Sequence, residues 1–127
     1  MPAQTPEQCD ELFATYLNSR DLDNLVGLYE APAILANEDG TLSIGKAAIR
    51  ETLQAIFAAV PEGKITMNVV RLVRAGDDLA VLYNDWRMVG RLANGSPVEI
   101  KHKAMEVVRR QSDGSWRFAV DDPYARG

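Results

Sequence analysis

The spacing of hydrophobic residues differs between the two halves of this chain, and the difference limits the folds that it can adopt. Up to Pro61, apart from a short stretch at 33–44, apolar residues recur every three or four positions, as on one face of a helix. From Lys64 onward they alternate with polar residues, as on the two faces of a β-strand. Helices followed by a run of strands predict an α+β domain, with three helices packed on the concave face of a cone-shaped, curved antiparallel sheet.

The three helices are predicted from their start and stop signals. The first begins after a Thr5 cap and continues to about Ser19, since Pro6 lies in its first turn. Asp21 caps a short second helix, which carries Tyr29 and which Pro32 should end. The third helix follows Gly45 and stops at Pro61. Short strands at 33–37 and 41–44 are expected between the second and third helices.

The second half predicts long strands joined by tight hairpins. The apolar parity changes at 69–70, which indicates a β-bulge. Asn94-Gly95 and Asp113-Gly114 are hairpin signals, and two-residue loops are assumed for both. Counting from these loops places Trp86 opposite Lys103, Asn84 opposite Met105, and Met105 opposite Asp122.

This register collects three polar side chains, Asn84, Lys103 and Asp122, on the face that the helices cover. Unpaired buried polar groups cost roughly 1–3 kcal/mol each, so they need partners or a hydrated cavity. We therefore predict a pocket in which Asp122 is the acid/base candidate and Asn84 assists. A structural ion pair of Asp122 with Lys103 is the alternative. The expected ligand-binding residues are Tyr16, Tyr29, Phe57, Trp86, Met88, Lys103, Met105 and Val120.

The opposite face collects Tyr83, Arg87, His102, Glu106 and Asp121. This mixed composition favours a wet interface, and we expect a homodimer formed through this outer face. His102 is interpreted as a surface or interface residue rather than as a base.

Composition excludes several classes of function. The 127 residues are expected to form a single domain, and the net charge of −4 argues against nucleic acid as a partner. Cys9 is the one cysteine and lies on the apolar stripe of the first helix, so a buried, inert thiol is expected. With one histidine and one cysteine, no metal site is predicted, and no cofactor is indicated. No apolar run reaches membrane length and the polar start lacks the layout of a signal peptide, so we expect a cytoplasmic protein without membrane contact.

The stretches NDWRMVG, KAMEVVRRQ and VDDP carry a family likeness. Together with RDLDNLVGLYEAPAILANEDG and GKAAIRETL, they resemble the small nuclear transport factor 2-like domains grouped with SnoaL-like polyketide cyclases and ketosteroid isomerases. The likeness covers nearly the whole chain. It implies a cone-shaped fold, a pocket between helices and sheet, and usually a dimer.

The resemblance does not carry the isomerase mechanism. The isomerase base falls on Asn37, its tyrosine on Phe13, and its second acid near Ala104 or Met105, so all three chemical groups are missing. SnoaL-like cyclases use an aspartate late in the chain, where this sequence has Asp121 and Asp122. Two hypotheses remain. The first is a dimeric pocket protein that binds a hydrophobic small molecule; the second is an isomerase, cyclase or dehydratase with Asp122 as proton shuttle.

Overall fold

Three helices and six strands form the described part of the chain, residues 2–127, in a computed structural model. In chain order they are α1 (Pro6–Asn18), α2 (Leu22–Val26), β1 (Tyr29–Ala36), β2 (Leu42–Ile44), α3 (Lys46–Ala59), β3 (Lys64–Ala75), β4 (Leu79–Arg91), β5 (Pro97–Arg110) and β6 (Trp116–Asp122).

The strands form one curved, open sheet in the order β2-β1-β6-β5-β4-β3. Neighbouring strands are antiparallel except β1 and β6, which run parallel, so the sheet is mixed. The helices cover its concave, or inner, face, and the buried core lies between them. The α+β cone predicted from the sequence is confirmed, but the prediction that the sheet is antiparallel throughout is wrong at one pair, because β1 and β6 are far apart in the chain and are not constrained by a hairpin to run antiparallel.

The helix caps act as the sequence predicts. The Thr5 hydroxyl accepts a hydrogen bond from the Gln8 amide at 3.3 Å, and the Asp21 carboxylate accepts one from the Asn24 amide at 3.3 Å. Cys9 is fully buried, and burial raises the pKa of its thiol, as expected for an inert core cysteine.

The position of Tyr29 differs from the prediction. The second helix ends at Val26, and Tyr29 is the first residue of β1 instead of a helix residue. Pro32 lies inside β1, where the pairing with β6 is interrupted between Tyr29 and Ile34. A proline is tolerated there because the strand does not need its amide in the ladder.

The register of β5 is shifted by one residue from the prediction. Trp86 lies opposite His102 and Asn84 opposite Ala104. The cause is the β4–β5 loop, which the Leu92 amide closes by donating to the Ser96 carbonyl at 2.8 Å, leaving a three-residue loop at 93–95. Gly95 takes the left-handed conformation (φ 88°) that such loops require. A shift of one residue moves every β5 side chain to the other face.

The last hairpin also has a three-residue loop, but a bulge restores its expected pairing. The Gln111 amide bonds the Ser115 carbonyl at 2.6 Å, and the register shifts between Val107 and Val108. Met105 consequently lies opposite Asp122, as predicted. The bulge predicted near 69–70 is confirmed as well, by a register shift between Val69 and Arg71.

Candidate functional site

A cavity of about 60 Å³ lies between the helices and the inner face of the sheet. Phe13 and Leu17 of α1 and Ile56 of α3 form its helical side. The sheet side includes Met67, Trp86 and Met88, and residues 123–124 complete the wall with Pro123 and Tyr124. The cavity lining is therefore mostly apolar, and three of the side chains in it are aromatic.

Two carboxyl groups interrupt this apolar lining. Glu106 of β5 and Asp121 of β6 are direct neighbours across the strands, and both line the cavity. They are 2% and 3% exposed. Asp10 of α1 lies beside them and is 1% exposed. We call Asp10, Glu106 and Asp121 the acid cluster.

The acid cluster is held by hydrogen bonds from two further strands. The Tyr29 hydroxyl of β1 donates to Asp121 Oδ2 at 2.6 Å. Asn84 of β4 is fully buried, and its Nδ2 donates to Asp10 Oδ2 at 3.1 Å. Glu106 is hydrogen-bonded to Asp10, a bond that raises the pKa of Glu106 and lowers that of Asp10, so Glu106 is the member of the pair that keeps its proton. Four strands and a helix thus position the site.

Burial raises the pKa of all three acids. It raises the pKa of Asp121 to about 7, against the opposing hydrogen bond from Tyr29 and with help from the negative charge of Asp10. It likewise raises the pKa of Asp10 to about 6, against the hydrogen bonds from Glu106 and Asn84. The pKa of Glu106 lies well above its usual range because of burial first and the charge of Asp10 second.

Three of the residues predicted to form the pocket lie on the inner face. Trp86 and Met88 line the cavity, and Trp86 Nε1 donates to the Pro123 carbonyl at 2.8 Å. Asn84 is also on this face, although its partner is Asp10 instead of the predicted neighbour Asp122. Tyr29 is fully buried outside the cavity lining, and its hydroxyl donates a hydrogen bond to Asp121. Tyr16 and Phe57 pack against the core outside the cavity lining.

The predicted positions of Asp122, Lys103, Met105 and Val120 are wrong. Lys103 lies opposite Asp85, Met105 opposite both Tyr83 and Asp122, and Val120 opposite Val107, all on the outer face. Met105 and Val120 are each 37% exposed. The three-residue loop at 93–95 is the reason, because it reverses the parity of β5 and of the β6 residues paired with it.

The position predicted for His102 is wrong for the same reason. It lies on the inner face, with its ring centroid 5.3 Å from that of Trp86 and 4.8 Å from that of Tyr124. Its Nε2 is 3.3 Å from a Glu38 carboxylate oxygen. His102 therefore packs beside two aromatic residues of the cavity wall.

The acid cluster is what the sequence prediction missed. Asp10 was detectable, since it lies three and seven positions before Phe13 and Leu17 and so shares their buried helix face. Glu106 and Asp121 were assigned to the outer face by the assumed loop length.

Among residues 2–127, no group of three His, Cys, Asp or Glu side chains has the arrangement of a metal site. Within that same part, no helix is long and apolar enough to cross a membrane.

Residues 10–119 match the model of the SnoaL-like domain, which is most of the chain. The chain belongs to the SnoaL-like domain family. No curated protein matches it.

Solved structures similar to this SnoaL-like domain show the nuclear transport factor 2-like fold. A ketosteroid isomerase-like protein from Erwinia carotovora atroseptica superimposes with a TM-score of 0.81 at 17% identity, over 91% of this chain and 89% of that one. A protein provisionally named scytalone dehydratase, from Novosphingobium aromaticivorans, superimposes with a TM-score of 0.82 at 14% identity, over 91% of this chain and 78% of that one. A provisionally named calcium/calmodulin-dependent protein kinase type II association domain from Thiobacillus denitrificans has a TM-score of 0.78 at 20% identity, over 97% of this chain and 98% of that one. At these identities the likeness concerns the fold alone.

Proposed function

We propose that this SnoaL-like domain binds a small, largely apolar molecule in its cavity and that Asp121 transfers a proton to and from it. The observation that carries the proposal is a buried carboxyl in an apolar cavity wall whose pKa is about 7. A general acid/base works best when its pKa is close to the working pH, because both protonation states are then populated.

The reaction class follows from what one such carboxyl can do. Ionised Asp121 removes a proton from a carbon next to a carbonyl, and the electron pair of the C–H bond moves towards the carbonyl oxygen. Protonated Asp121 then returns the proton to another carbon, which is an isomerisation, or to a departing hydroxyl, which is a dehydration. Similar structures named as isomerase-like and as a dehydratase support this class.

Tyr29 is a positioning residue in this proposal. Its hydroxyl holds one oxygen of Asp121 at 2.6 Å and fixes the carboxyl at the end of β6. The role that the sequence hypothesis gave to Asp122 passes to Asp121, because the side chains of consecutive strand residues point to opposite faces.

Proton transfer can be tested without knowing the natural substrate. We expect the protein to accelerate the exchange of the α-hydrogens of cyclopentanone in D₂O, followed by proton NMR. Asp121→Asn should lower the rate by about a hundredfold or more, the usual contribution of a general base. Asp122→Asn is the matched control on the outer face and should keep the rate. Equal rates in the wild type and a folded Asp121→Asn variant would contradict the proposal.

Ligand binding without turnover is the second candidate. The contacts within the cavity wall favour it. Trp86 donates a hydrogen bond to the Pro123 carbonyl, and the centroid of the Tyr124 ring lies 6.1 Å from that of Trp86, with the two rings edge to face. Such a wall would retain a bound molecule. Saturable binding together with no exchange of any small ketone would support this second role.

A further inference from the structure

The polar atoms without a partner in the acid cluster and in the neighbouring Asn84 are all hydrogen-bond acceptors. Asp10 Oδ1, Asn84 Oδ1 and Glu106 Oε1 are buried and have no partner. Buried polar atoms are usually paired, because an unpaired one costs roughly 1–3 kcal/mol. Glu106 is 2% exposed and lines the cavity, so a hydrogen-bond donor bound there would lie beside its carboxyl group.

The acid cluster also has no positively charged partner. The ion pairs among residues 2–127 all involve other carboxylates, and no Lys, Arg or His side chain is paired with Asp10, Glu106 or Asp121. Any charge left on these three acids is therefore uncompensated in a largely apolar setting. A buried charge of this kind is costly until a counter-charge reaches it.

The cavity walls suit a cation as well. The side chains of Phe13, Trp86 and Tyr124 all contribute to the lining. The faces of aromatic rings carry partial negative charge and attract ammonium groups, most strongly where water is excluded. A positive group beside Glu106 would therefore be stabilised by the acid cluster and by the aromatic walls together.

We propose that the cavity binds the ammonium group of a small apolar amine, with Glu106 accepting its hydrogen bonds and Asp10 supplying negative charge from behind. The inference rests on the proposed function and adds to it: a substrate of the same site would carry an ammonium group in addition to its carbonyl group. An ammonium group offers three N–H donors and one positive charge, which are the two things the acid cluster lacks. A volume of about 60 Å³ holds roughly four water molecules, so a short-chain amine fits.

Binding of a cation should also release protons. The titratable groups around the ammonium site are Asp10 on α1, Tyr29 on β1, Glu106 on β5 and Asp121 on β6, with Asp122 on the reverse side of β6 and Tyr124 in the wall. A positive charge favours the ionised forms of the three acids. A larger fraction of Asp121 would therefore be ionised, and so able to accept a proton, when the substrate is bound, because the positive charge lowers the pKa of Asp121.

The first test compares three matched probes on the wild-type protein by isothermal titration calorimetry at neutral pH. These are 1-butylamine, 1-butanol and butanoate. We expect butylamine to bind at least about tenfold more tightly than butanol, the effect of one charged hydrogen bond, and butanoate not to bind. Butylamine titrations in two buffers of different ionisation enthalpy should show proton release. Butanol binding as tightly as butylamine, or no saturable binding of butylamine, would overturn the inference.

The second test uses variants of the full chain. Glu106→Gln should weaken butylamine binding about tenfold or more and leave butanol binding unchanged, since glutamine keeps the shape of the side chain but cannot ionise to balance the ammonium charge. Asp122→Asn, the matched change on the outer face, removes a charge that points away from the cavity, so it should change butylamine binding far less than Glu106→Gln does. If circular dichroism shows that Glu106→Gln is unfolded, Asp10→Asn replaces it, with the same expected loss. Unchanged butylamine affinity in the folded variant would count against amine binding.

The two proposals fail separately. Ketone exchange that depends on Asp121, combined with no preference for the amine, would overturn the amine inference alone. A clear preference for the amine, combined with exchange that is indifferent to Asp121→Asn, would overturn the proton-transfer proposal alone.

Discussion

Two consecutive aspartates near the end of β6 differ in nearly every physical respect. Asp121 faces the helices, is 3% exposed and bonds Tyr29, whereas Asp122 faces outward opposite Met105. Both are the same chemical group, so the raised pKa of Asp121 comes from its surroundings and not from its type. Neighbouring positions in a strand therefore give a natural control for each experiment on the site.

The raised pKa values of Asp121 and Asp10 predict how stability depends on pH. Both acids hold protons in the folded state up to about pH 7 and 6, while the ordinary value is 3.8. The folded state thus binds more protons than the unfolded state above about pH 4, and the free energy of unfolding falls as pH rises towards 7. Replacing Asp121 by Asn should reduce this loss between about pH 5 and 8 by on the order of 2 kcal/mol.

Urea unfolding at the two pH values measures this effect. The Asp122→Asn variant is the control and should retain the pH dependence of the wild type. A wild-type protein whose free energy of unfolding increases over this interval, or an Asp121→Asn variant with an unchanged slope, would show that the acid cluster is ionised at little cost.

At the scale of elements, one loop decides the composition of the site. The caps at Thr5 and Asp21 and the bulge at 69–70 follow from local sequence, and they were predictable. The parity of β5 was not, since Asn94-Gly95 suits a two-residue loop as well as the three-residue loop that forms. The residues predicted for the inner face were therefore correct on β4, with Asn84, Trp86 and Met88. They were wrong on β5 and at the end of β6, where the inner and outer residues are exchanged.

Gly95 should be the most sensitive position of that loop. Its φ of 88° lies in the left-handed region, and a Cβ added there would meet nothing within 4 Å, so any cost of substitution is conformational. Gly95→Val should lower the free energy of unfolding by about 1–3 kcal/mol. Gly95→Asn should cost less, because asparagine tolerates this conformation. Thermal unfolding of both variants tests the pair, and equal losses would contradict the loop conformation.

At the scale of the whole molecule, the fold itself was predictable, because the order of helices and strands limits the layers that can form. The outer face of the sheet is the surface most open to further assembly. Its exposed apolar side chains include Met105, Val120 and Val73, which are 37% exposed. We infer that two copies of the chain pair through this face, as the sequence analysis expects. The side chains on this face include Met105 and Val120, which were predicted to line the pocket.

Light scattering coupled to size-exclusion chromatography tests this pairing. The wild type should have the mass of a dimer, and Val120→Lys should shift it towards the monomer because a charge is placed in an apolar contact. Leu92→Lys is the matched control, as Leu92 is equally exposed at 37% but lies at the tip of a hairpin. A monomeric wild type, or a dimer unaffected by Val120→Lys, would contradict an interface on this face.

The acid cluster is the centre of this account, and the pKa of Asp121 is its most direct measure. Carbon-13 NMR of the side-chain carboxyl groups follows each titration, and the Asp121→Asn variant assigns the signal. We predict that Asp121 titrates at about pH 7. A carboxyl signal of Asp121 that titrates close to the ordinary value of 3.8 would show that this group is not a proton carrier at neutral pH, and the proposed function would fail with it.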